Sequence, residues 1–295
     1  MTALPRILLL GAGGQLGQAL AESFSGAGEL RTHTHSSLDL ESESAIRAAV
    51  RSFAPTVILN AAAYTAVDRA ESESEKAHAI NATAPGIIAE EAARASALLV
   101  HYSTDYVYDG TKSGPWSEDD ATNPLNVYGV SKLAGERAIA AACPSHLIFR
   151  TSWVFGPTGA NFVRTMLRLG RERASLNIVD DQLGAPTSTL ELARATRAIV
   201  DSILAGRVTN FSGVYHMTCS GSVTWFEFAR AIFAYAAQSG FPAPQLNPIP
   251  TSQYPTPARR PLNSVMSNEK LHARFGIELA SWQSALDAVL ARLTL

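Results

Sequence analysis

The chain has 295 residues, of which 46% are hydrophobic and 17% charged, and its formal net charge at pH 7 is −2. This balance is typical of a folded globular protein with a sizeable core, and it excludes a disordered chain. Because the sequence has no run of Lys or Arg, we predict no nucleic-acid partner.

Two features indicate where the protein works. Cys143 and Cys219 lack metal-ligand spacing and cannot build a disulfide framework, so we predict two buried thiols in a reducing compartment. The apolar run 7–10 is too short to span a membrane and ends in glycines instead of a cleavage site. We therefore predict a cytoplasmic protein with no membrane partner.

The first predicted elements are a strand over 6–10, a glycine-rich turn and a helix over 18–25. Gly11, Gly14 and Gly17 would let the turn close, let backbone N–H groups approach a pyrophosphate, and let the helix pack on the strand. Strand, glycine turn and helix in this order predict a dinucleotide site. For the glycine motif alone, an ordinary tight turn is the alternative.

A second strand is predicted near 29–33, and its end is where a dinucleotide fold reads the adenosine ribose. NAD-specific sites usually carry a carboxylate there, whereas this chain has Thr32-His33-Thr34-His35 with Arg31 nearby. Small polar groups beside a cation could accept a 2′-phosphate, so NADPH is the preferred cofactor and NADH the alternative. A solvated strand end is the other interpretation.

The pattern continues as helix 41–53, strand 57–61, helix 81–97 and strand 98–103, with another strand at 146–150. Alternating strands and amphipathic helices predict an α/β fold with a doubly wound parallel (Rossmann) sheet, whose ligands bind at the carboxyl ends of the strands. The segments that follow the predicted strands should therefore converge on one crevice.

The second half of the chain is less regular. Helices are predicted over 162–173 and 190–204, and an amphipathic helix over 279–293 closes the chain. The stretch 241–261 holds seven of the fifteen prolines, which predicts an extended loop. Arg259 and Arg260 at its end could hold a substrate diphosphate, or they could be surface arginines without a partner.

Tyr128 and Lys132 stand four residues apart on a predicted helix with Asn126 as its N-cap. That spacing places the two side chains one turn apart on the same face. A free tyrosine has a pKa of about 10, so a nearby cation would help it to act as a proton relay. An isolated pair of this kind is usually accidental, but here it lies beside the predicted crevice.

The glycine turn, the strand-end Thr104 and the later Tyr-x-x-x-Lys together resemble the short-chain dehydrogenase/reductase superfamily. Longer strings resemble one family of its extended branch, the dTDP-4-dehydrorhamnose reductases, and the likeness covers nearly the whole chain. These strings are Ser103–Gly110, Asn123–Gly129, Phe149–Trp153, Asp181–Pro186, Pro255–Ala258 and Arg260-Pro261.

The resemblance implies that hydride from a nicotinamide reduces the C4 ketone of dTDP-4-dehydrorhamnose, a dTDP-sugar, to give dTDP-L-rhamnose. It also implies a smaller C-terminal sugar-nucleotide-binding domain after the Rossmann part. We expect residues 1–153 to form the dinucleotide-binding domain, together with part of 186–220, and residues 154–295 to form mainly the substrate domain.

The same resemblance implies roles for individual residues. Tyr128 would give the proton, Lys132 would lower its pKa and hold the nicotinamide ribose, and Thr104 would bond the ketone oxygen. Asp105 and Trp153 map to the sugar site, where the indole could pack on the sugar ring. Beyond the glycine motif, the positions that map to the cofactor are Gln15, Leu16, Asp39, Leu40, Ala63, Tyr64, Thr65, Tyr102, Tyr128 and Lys132.

The chain departs from the family in one position and leaves one question open. Members commonly have an acid where this chain has Thr34, which strengthens the prediction of NADPH. Some members are linked to Mg²⁺, but the sequence has no carboxylate cluster that we would assign, so no metal site is predicted and a Mg²⁺ requirement stays open.

Four rival functions fit parts of the same sequence pattern. Dehydratases of the superfamily follow the threonine with Asp-Glu, whereas Asp105 is followed by Tyr106. An epimerase would keep Tyr128 and Lys132 but would recycle its cofactor, and another nucleotide-sugar reductase would differ only in substrate. A non-catalytic regulatory subunit would not need the proton relay, which is intact here. The sequence leaves open a homodimer and the choice of thymidine over uridine.

Overall fold

The computed structural model describes residues 4–294. The β-strands are Arg6–Leu10 (β1), Glu29–His33 (β2), Val57–Asn60 (β3), Leu98–Thr104 (β4), His146–Thr151 (β5), Val154–Phe155 (β6), Ser175–Val179 (β7), Leu183–Gly184 (β8), Thr187–Ser188 (β9), Gly213–His216 (β10), Val223–Thr224 (β11) and Gln245–Ile249 (β12).

Helices separate these strands. The α-helices are Gln15–Ser23 (α1), Glu43–Phe53 (α2), Val67–Ala70 (α3), Ser74–His78 (α4), Ala84–Arg94 (α5), Val127–Ala142 (α6), Phe162–Glu172 (α7), Thr189–Leu204 (α8), Trp225–Ala237 (α9), Glu269–Phe275 (α10) and Trp282–Leu290 (α11). A π-helical turn over Ala79–Thr83 joins α4 to α5, and 3₁₀ turns lie at Asp105–Val107 and Thr251–Gln253. None of the helices in residues 4–294 is both long and apolar enough to cross a membrane.

Six strands form one sheet in the order β2-β1-β3-β4-β5-β10, and every neighbouring pair is parallel. The prediction of a doubly wound parallel sheet is therefore confirmed. The strand order reverses between β1 and β3, and in such sheets ligands bind outside the carboxyl ends of the strands at that point. The glycine turn after β1 and the segment after β3 both lie there.

The inner strands of the sheet are buried on both faces because their residues alternate between two cores. On β1, Ile7 and Leu9 face the core beneath α1 and α8, whereas Leu8 and Leu10 face the core beneath α2 and α5. All four side chains are no more than 1% exposed. Two-sided burial is why these strands read as continuous apolar runs in the sequence.

A third core lies in the second half of the chain, among α7, α9 and α11. Two of the predictions for this half need correction. Helix α9 was not predicted, and the stretch 241–261 is not all loop, because β12 pairs in parallel with β7. Pro248 is tolerated in β12 because that strand pairs on one side only, in a two-stranded sheet, so a residue without a backbone N–H breaks no ladder on the other side.

Candidate active site

The glycine turn after β1 is held against β2. The N–H groups of Gly11 and Ala12 both donate to the carbonyl oxygen of His33 at 2.9 Å. Gly11 has a φ of 81°, and a Cβ on Gly17 would collide with the Gly11 carbonyl oxygen. Only glycine therefore fits at these two positions.

Helix α1 begins directly after this turn. Its N-cap, Gly14, offers no side-chain oxygen to the first-turn N–H groups, and the first turn has no acidic residue. Those N–H groups can bind an anion such as a pyrophosphate, so the turn fits a dinucleotide. Gln15 ties the turn to the second half of the chain by donating to the Val154 carbonyl at 3.3 Å, and Leu16 packs on the core.

The end of β2 lies beside the glycine turn and carries two hydroxyl groups. The Thr34 hydroxyl lies 2.8 Å from that of Ser36, and the methyl of Thr34 lies 3.6 Å from where a Cβ on Gly13 would stand. Arg31 instead stacks its guanidinium on the Phe53 ring, 4.3 Å from the centroid. Asp39 is exposed and accepts from the Glu41 N–H at 2.9 Å, while Leu40 packs on the adjoining core.

The segment after β3 carries Ala63, Tyr64 and Thr65. Buried Asn81 fixes it: the Asn81 side chain accepts from the Tyr64 N–H at 2.9 Å and donates to the Tyr64 carbonyl at 3.0 Å. The Tyr64 hydroxyl donates to Glu73 at 2.8 Å. Ala63 is partly buried and Thr65 is exposed.

Asn81 also touches the helix that carries the predicted catalytic pair. It lies in the π-helical turn, and its amide donates to Ser131 of α6 at 3.1 Å. Pro85, near the start of α5, has no N–H to give to the Asn81 carbonyl four residues earlier, which accounts for the break in the helical ladder. That carbonyl lies against Gly135, where a Cβ would collide with it.

Thr104 and Asp105 lie buried at the carboxyl end of β4. The Thr104 hydroxyl accepts from the Tyr106 N–H at 3.2 Å and donates to Oδ1 of Asp105 at 3.1 Å. Oδ2 of Asp105 is buried without a hydrogen-bond partner among residues 4–294. Burial raises the pKa of Asp105 to about 6, although Ser264 and Thr104 counteract it in part.

Tyr128 lies in the first turn of α6, whose N-cap is Asn126 as predicted: the Asn126 side chain accepts from the Gly129 N–H at 2.8 Å. The Tyr128 ring packs edge-on against Tyr106 with the centroids 5.5 Å apart. Burial raises the pKa of Tyr128 above its ordinary value, and the neighbouring Thr104 hydroxyl lowers it in part. Thr104 and Tyr128 are therefore brought together.

Lys132 is buried one turn later on α6. Its ammonium donates to the Tyr102 carbonyl at 2.7 Å and lies 3.1 Å from Nε2 of His101. Burial lowers the pKa of Lys132 to about 8, against the opposing effect of Glu136. The sequence-based expectation was that Lys132 lowers the pKa of Tyr128; in the structure burial dominates the pKa of Tyr128 instead, and the Lys132 charge is held by β4.

Tyr102 meets the site through its backbone. Its side chain points into the core, where the hydroxyl lies 2.7 Å from that of Thr196, and only its carbonyl faces Lys132. His101, on the other side of β4, is fully buried between Lys132 and Asn60, whose amide lies 3.1 Å from Nδ1. Burial and the Lys132 charge lower the pKa of His101 far below its ordinary value, so the imidazole is neutral.

A buried ion pair supports this part of the fold. Glu136 lies one turn beyond Lys132. Arg150 donates to its carboxylate through Nε at 2.9 Å and through Nη2 at 2.6 Å, and Ser103 donates to the same carboxylate. Arg150 also donates to the Tyr108 hydroxyl at 2.7 Å. The pair therefore fixes α6 against β4 and β5.

Trp153 follows β5, beside the end of β4, since Thr104 and Thr151 are register partners. Its indole stacks on Trp225 with the centroids 3.5 Å apart and the planes 8° apart. The backbone of this tryptophan has a φ of 47°, which is unusual for a residue with a side chain.

Arg260 contacts Tyr106, which packs on Tyr128, but its charge is already paired. It donates to Asp68 at 2.7 Å and to the Tyr106 hydroxyl at 3.0 Å. Arg259 is exposed and makes no ion pair within the described part of the chain. Both arginines line a cleft of about 570 Å³ between the segments 109–111 and 251–262.

In residues 4–294, no group of three or more His, Cys, Asp or Glu side chains is placed to hold a metal ion. Sequence reasoning missed three supporting elements: Asn81, His101 and the Glu136–Arg150 pair. Pro85 inside a helical pattern was a signal for the first, because it demands a break in the helix. The other two depend on contacts between distant parts of the chain.

The chain is similar to known proteins over nearly its whole length. The family model described as RmlD substrate binding domain matches residues 5–295. The dTDP-4-dehydrorhamnose reductase of Burkholderia thailandensis is 47% identical over 287 residues, covering 95% of this chain and 96% of that protein. The reductase of the same name from Escherichia coli K12 is 44% identical over 293 residues, covering 97% of each.

Solved structures agree with the sequence relatives. The crystal structure of dTDP-4-dehydrorhamnose reductase from Bacillus anthracis in complex with NADP superposes with a TM-score of 0.90 at 33% identity. The superposition covers 98% of this chain and 99% of that one.

Proposed function

The chain belongs to the RmlD substrate binding domain family, and we propose on this premise that it reduces dTDP-4-dehydrorhamnose to dTDP-L-rhamnose with NADPH. It is thus an NAD(P)H-dependent oxidoreductase. The observation that carries the proposal is that Tyr128 packs on Tyr106 just beyond Thr104, at the carboxyl edge of β4, with Lys132 one turn away on α6.

Reduction of a ketone places negative charge on its oxygen, which must then receive a proton. Tyr128 is suited to give it, because its phenol is protonated at neutral pH and lies at the carboxyl edge of β4. Thr104 supplies a second hydroxyl beside it. Lys132, held by the Tyr102 carbonyl, places a positive charge one turn away that can stabilise the phenolate as it forms.

A reduced nicotinamide dinucleotide supplies the hydride when it is bound. The glycine turn and the uncapped start of α1 would hold its pyrophosphate. The hydroxyl groups of Thr34 and Ser36, with no carboxylate in their place, favour a 2′-phosphate and therefore NADPH over NADH. The NADP complex of the Bacillus anthracis reductase supports this choice.

The substrate would lie on the other side of Tyr128. We assign Asp105 and Trp153 to the sugar, and the cleft beside Arg260 to the nucleotide diphosphate. Because Asp68 already balances Arg260, exposed Arg259 would supply the additional charge. On this assignment residues 1–153 with part of 186–220 bind the cofactor, and residues 154–295 mainly bind the substrate.

The two thiols bear on the compartment in which the protein works. Cys143 and Cys219 are buried and unpaired. They support the proposal that the protein acts in a reducing compartment such as the cytoplasm.

The test follows NADPH absorbance with dTDP-4-dehydrorhamnose and with its uridine analogue. We expect one NADPH to be consumed per dTDP-L-rhamnose formed, which an epimerase would not do and a regulatory subunit could not do. Tyr128→Phe should keep NADPH binding while it slows turnover by about 10²- to 10⁴-fold. A Tyr128→Phe variant with the wild-type rate would remove Tyr128 from the proton-donor role.

A further inference from the structure

Trp153 is held in a backbone conformation that its side chain disfavours. Within residues 4–294 it is one of four non-glycine residues with positive φ, and it is much bulkier than the other three, Ala54, Ser96 and Asn210. A bulky residue stays in this region only when its surroundings hold it there. Such outliers are a reason to look for function.

Both flat faces of the Trp153 indole are covered. One face carries the Trp225 ring at 3.5 Å. On the other lies the backbone of Gly184, where an added Cβ would stand 2.6 Å from Cζ2 and 2.7 Å from Cδ2 of Trp153, and closer still to Cε2 between them. This position is nearest to Cε2, a carbon shared by both indole rings, and about equally far from two atoms bonded to it, so it lies outside the ring plane, against one flat face. The stacked Trp225 ring fills the face that it covers. Gly184 and Trp225 therefore cover opposite faces of the Trp153 indole.

The two covers come from one short piece of structure. Gly184 belongs to β8, which pairs antiparallel with β11, and its register partner is Val223. Trp225 directly follows β11 as the first residue of α9. Its indole N–H donates to Gln182, next to β8, at 3.2 Å, and Phe162 packs against its ring with the centroids 4.6 Å apart.

We propose that the β8–β11 ribbon is a clamp in which Gly184 and Trp225 are positioning residues for Trp153. The inference rests on the proposed function, because it takes Trp153 as a sugar contact. With both faces covered, Trp153 presents only its edge to a ligand, including an indole N–H that meets no acceptor in the described part of the chain. The clamp thus favours a sugar with an oxygen at that edge over one that presents an apolar face.

The experiment compares Trp225→Leu, Trp225→Phe and Gly184→Ala with wild type in steady-state assays. We expect Trp225→Leu and Gly184→Ala to raise KM for the dTDP-ketosugar by about 10- to 100-fold, since small displacements of a binding group have effects of this size. KM for NADPH should change less than about twofold, and Trp225→Phe, which keeps a ring in the stack, should recover most of the sugar affinity.

The control is Trp282→Leu, because Trp282 belongs to the same core but packs on Phe228 and not on Trp153. It should lower the urea midpoint without changing KM for the sugar. Circular dichroism gives a direct readout of the clamp, since two stacked indoles produce a coupled far-ultraviolet band. Trp225→Leu and Trp153→Phe should each remove that band.

A double-mutant cycle decides whether Trp225 acts through Trp153. In a Trp153→Phe background, Trp225→Leu should add little to the rise in KM. Additive effects, or an unchanged sugar KM in a folded Trp225→Leu variant, would overturn the clamp and leave Trp225 as core packing. A wild-type protein that does not turn over the dTDP-ketosugar would overturn the proposed function first, and the sugar contact with it.

Discussion

Replacing Asp105 by Asn should stabilise the protein at neutral pH. Asp105 is only 3% exposed, and one of its carboxylate oxygens is buried without a partner among residues 4–294. Burial raises its pKa from the ordinary 3.8 to about 6. An amide of the same shape carries no charge and so escapes this cost of burial.

The magnitude follows from the two pKa values. The unfolded chain loses this proton near pH 3.8 and the folded protein near pH 6, so the folded state binds more protons in between and its stability falls as the pH rises. The stability lost to the buried negative charge is zero below the unfolded-state pKa and complete above the folded-state pKa, where it amounts to about 3 kcal/mol. From about pH 4.5 to about pH 7.5 this charge should lower the free energy of unfolding by about 2 kcal/mol.

The assay is urea unfolding of wild type and Asp105→Asn at those two pH values; the free energy of unfolding must fall with urea at the same slope in both proteins. The variant should exceed wild type in free energy of unfolding by about 2 kcal/mol more at the higher pH than at the lower. Asp109→Asn is the matched control, because Thr111 and Asn123 hold the pKa of Asp109 below its ordinary value, and this variant should gain nothing. An advantage of Asp105→Asn that does not depend on pH would refute the reasoning.

Three further predictions concern the cofactor side of the site. Gly17→Ala should abolish NADPH binding in a titration because its Cβ would strike the Gly11 carbonyl, whereas Gly114→Ala, which enters open space, should bind normally. Thr34→Asp should shift the ratio of kcat/KM values from NADPH toward NADH by at least about tenfold, since a carboxylate repels a 2′-phosphate; an unchanged ratio would show that Thr34 does not read the ribose. His101→Leu should raise KM for NADPH and move the alkaline limb of the pH–rate profile to lower pH, because it removes an acceptor that stabilises the ammonium of buried Lys132, whose pKa is about 8. An unshifted profile would contradict this role.

Sequence reasoning located the elements whose signals are local. β1 and the glycine turn were found because a buried parallel strand is continuously apolar and because Gly11 and Gly17 have no room for a side chain. The helix of Tyr128 was placed correctly from its N-cap Asn126. The predicted helix over 81–97 instead begins at Ser74 with α4 and is interrupted at the π-helical turn, since propensity alone does not show how a helix accommodates Pro85.

The sequence by itself determined the fold class, the dinucleotide turn and the one-turn spacing of Tyr128 and Lys132, because each depends on residues close together in the chain. Only the tertiary structure decided which groups surround that pair. Lys132 is held by the backbone of Tyr102, thirty residues earlier, and Trp153 is covered by Gly184 and Trp225. Such partners meet only after the strands take their order, so no local pattern encodes them. The sequence predicted that Trp153 could pack on a sugar ring; the fold covers both faces and leaves only its edge.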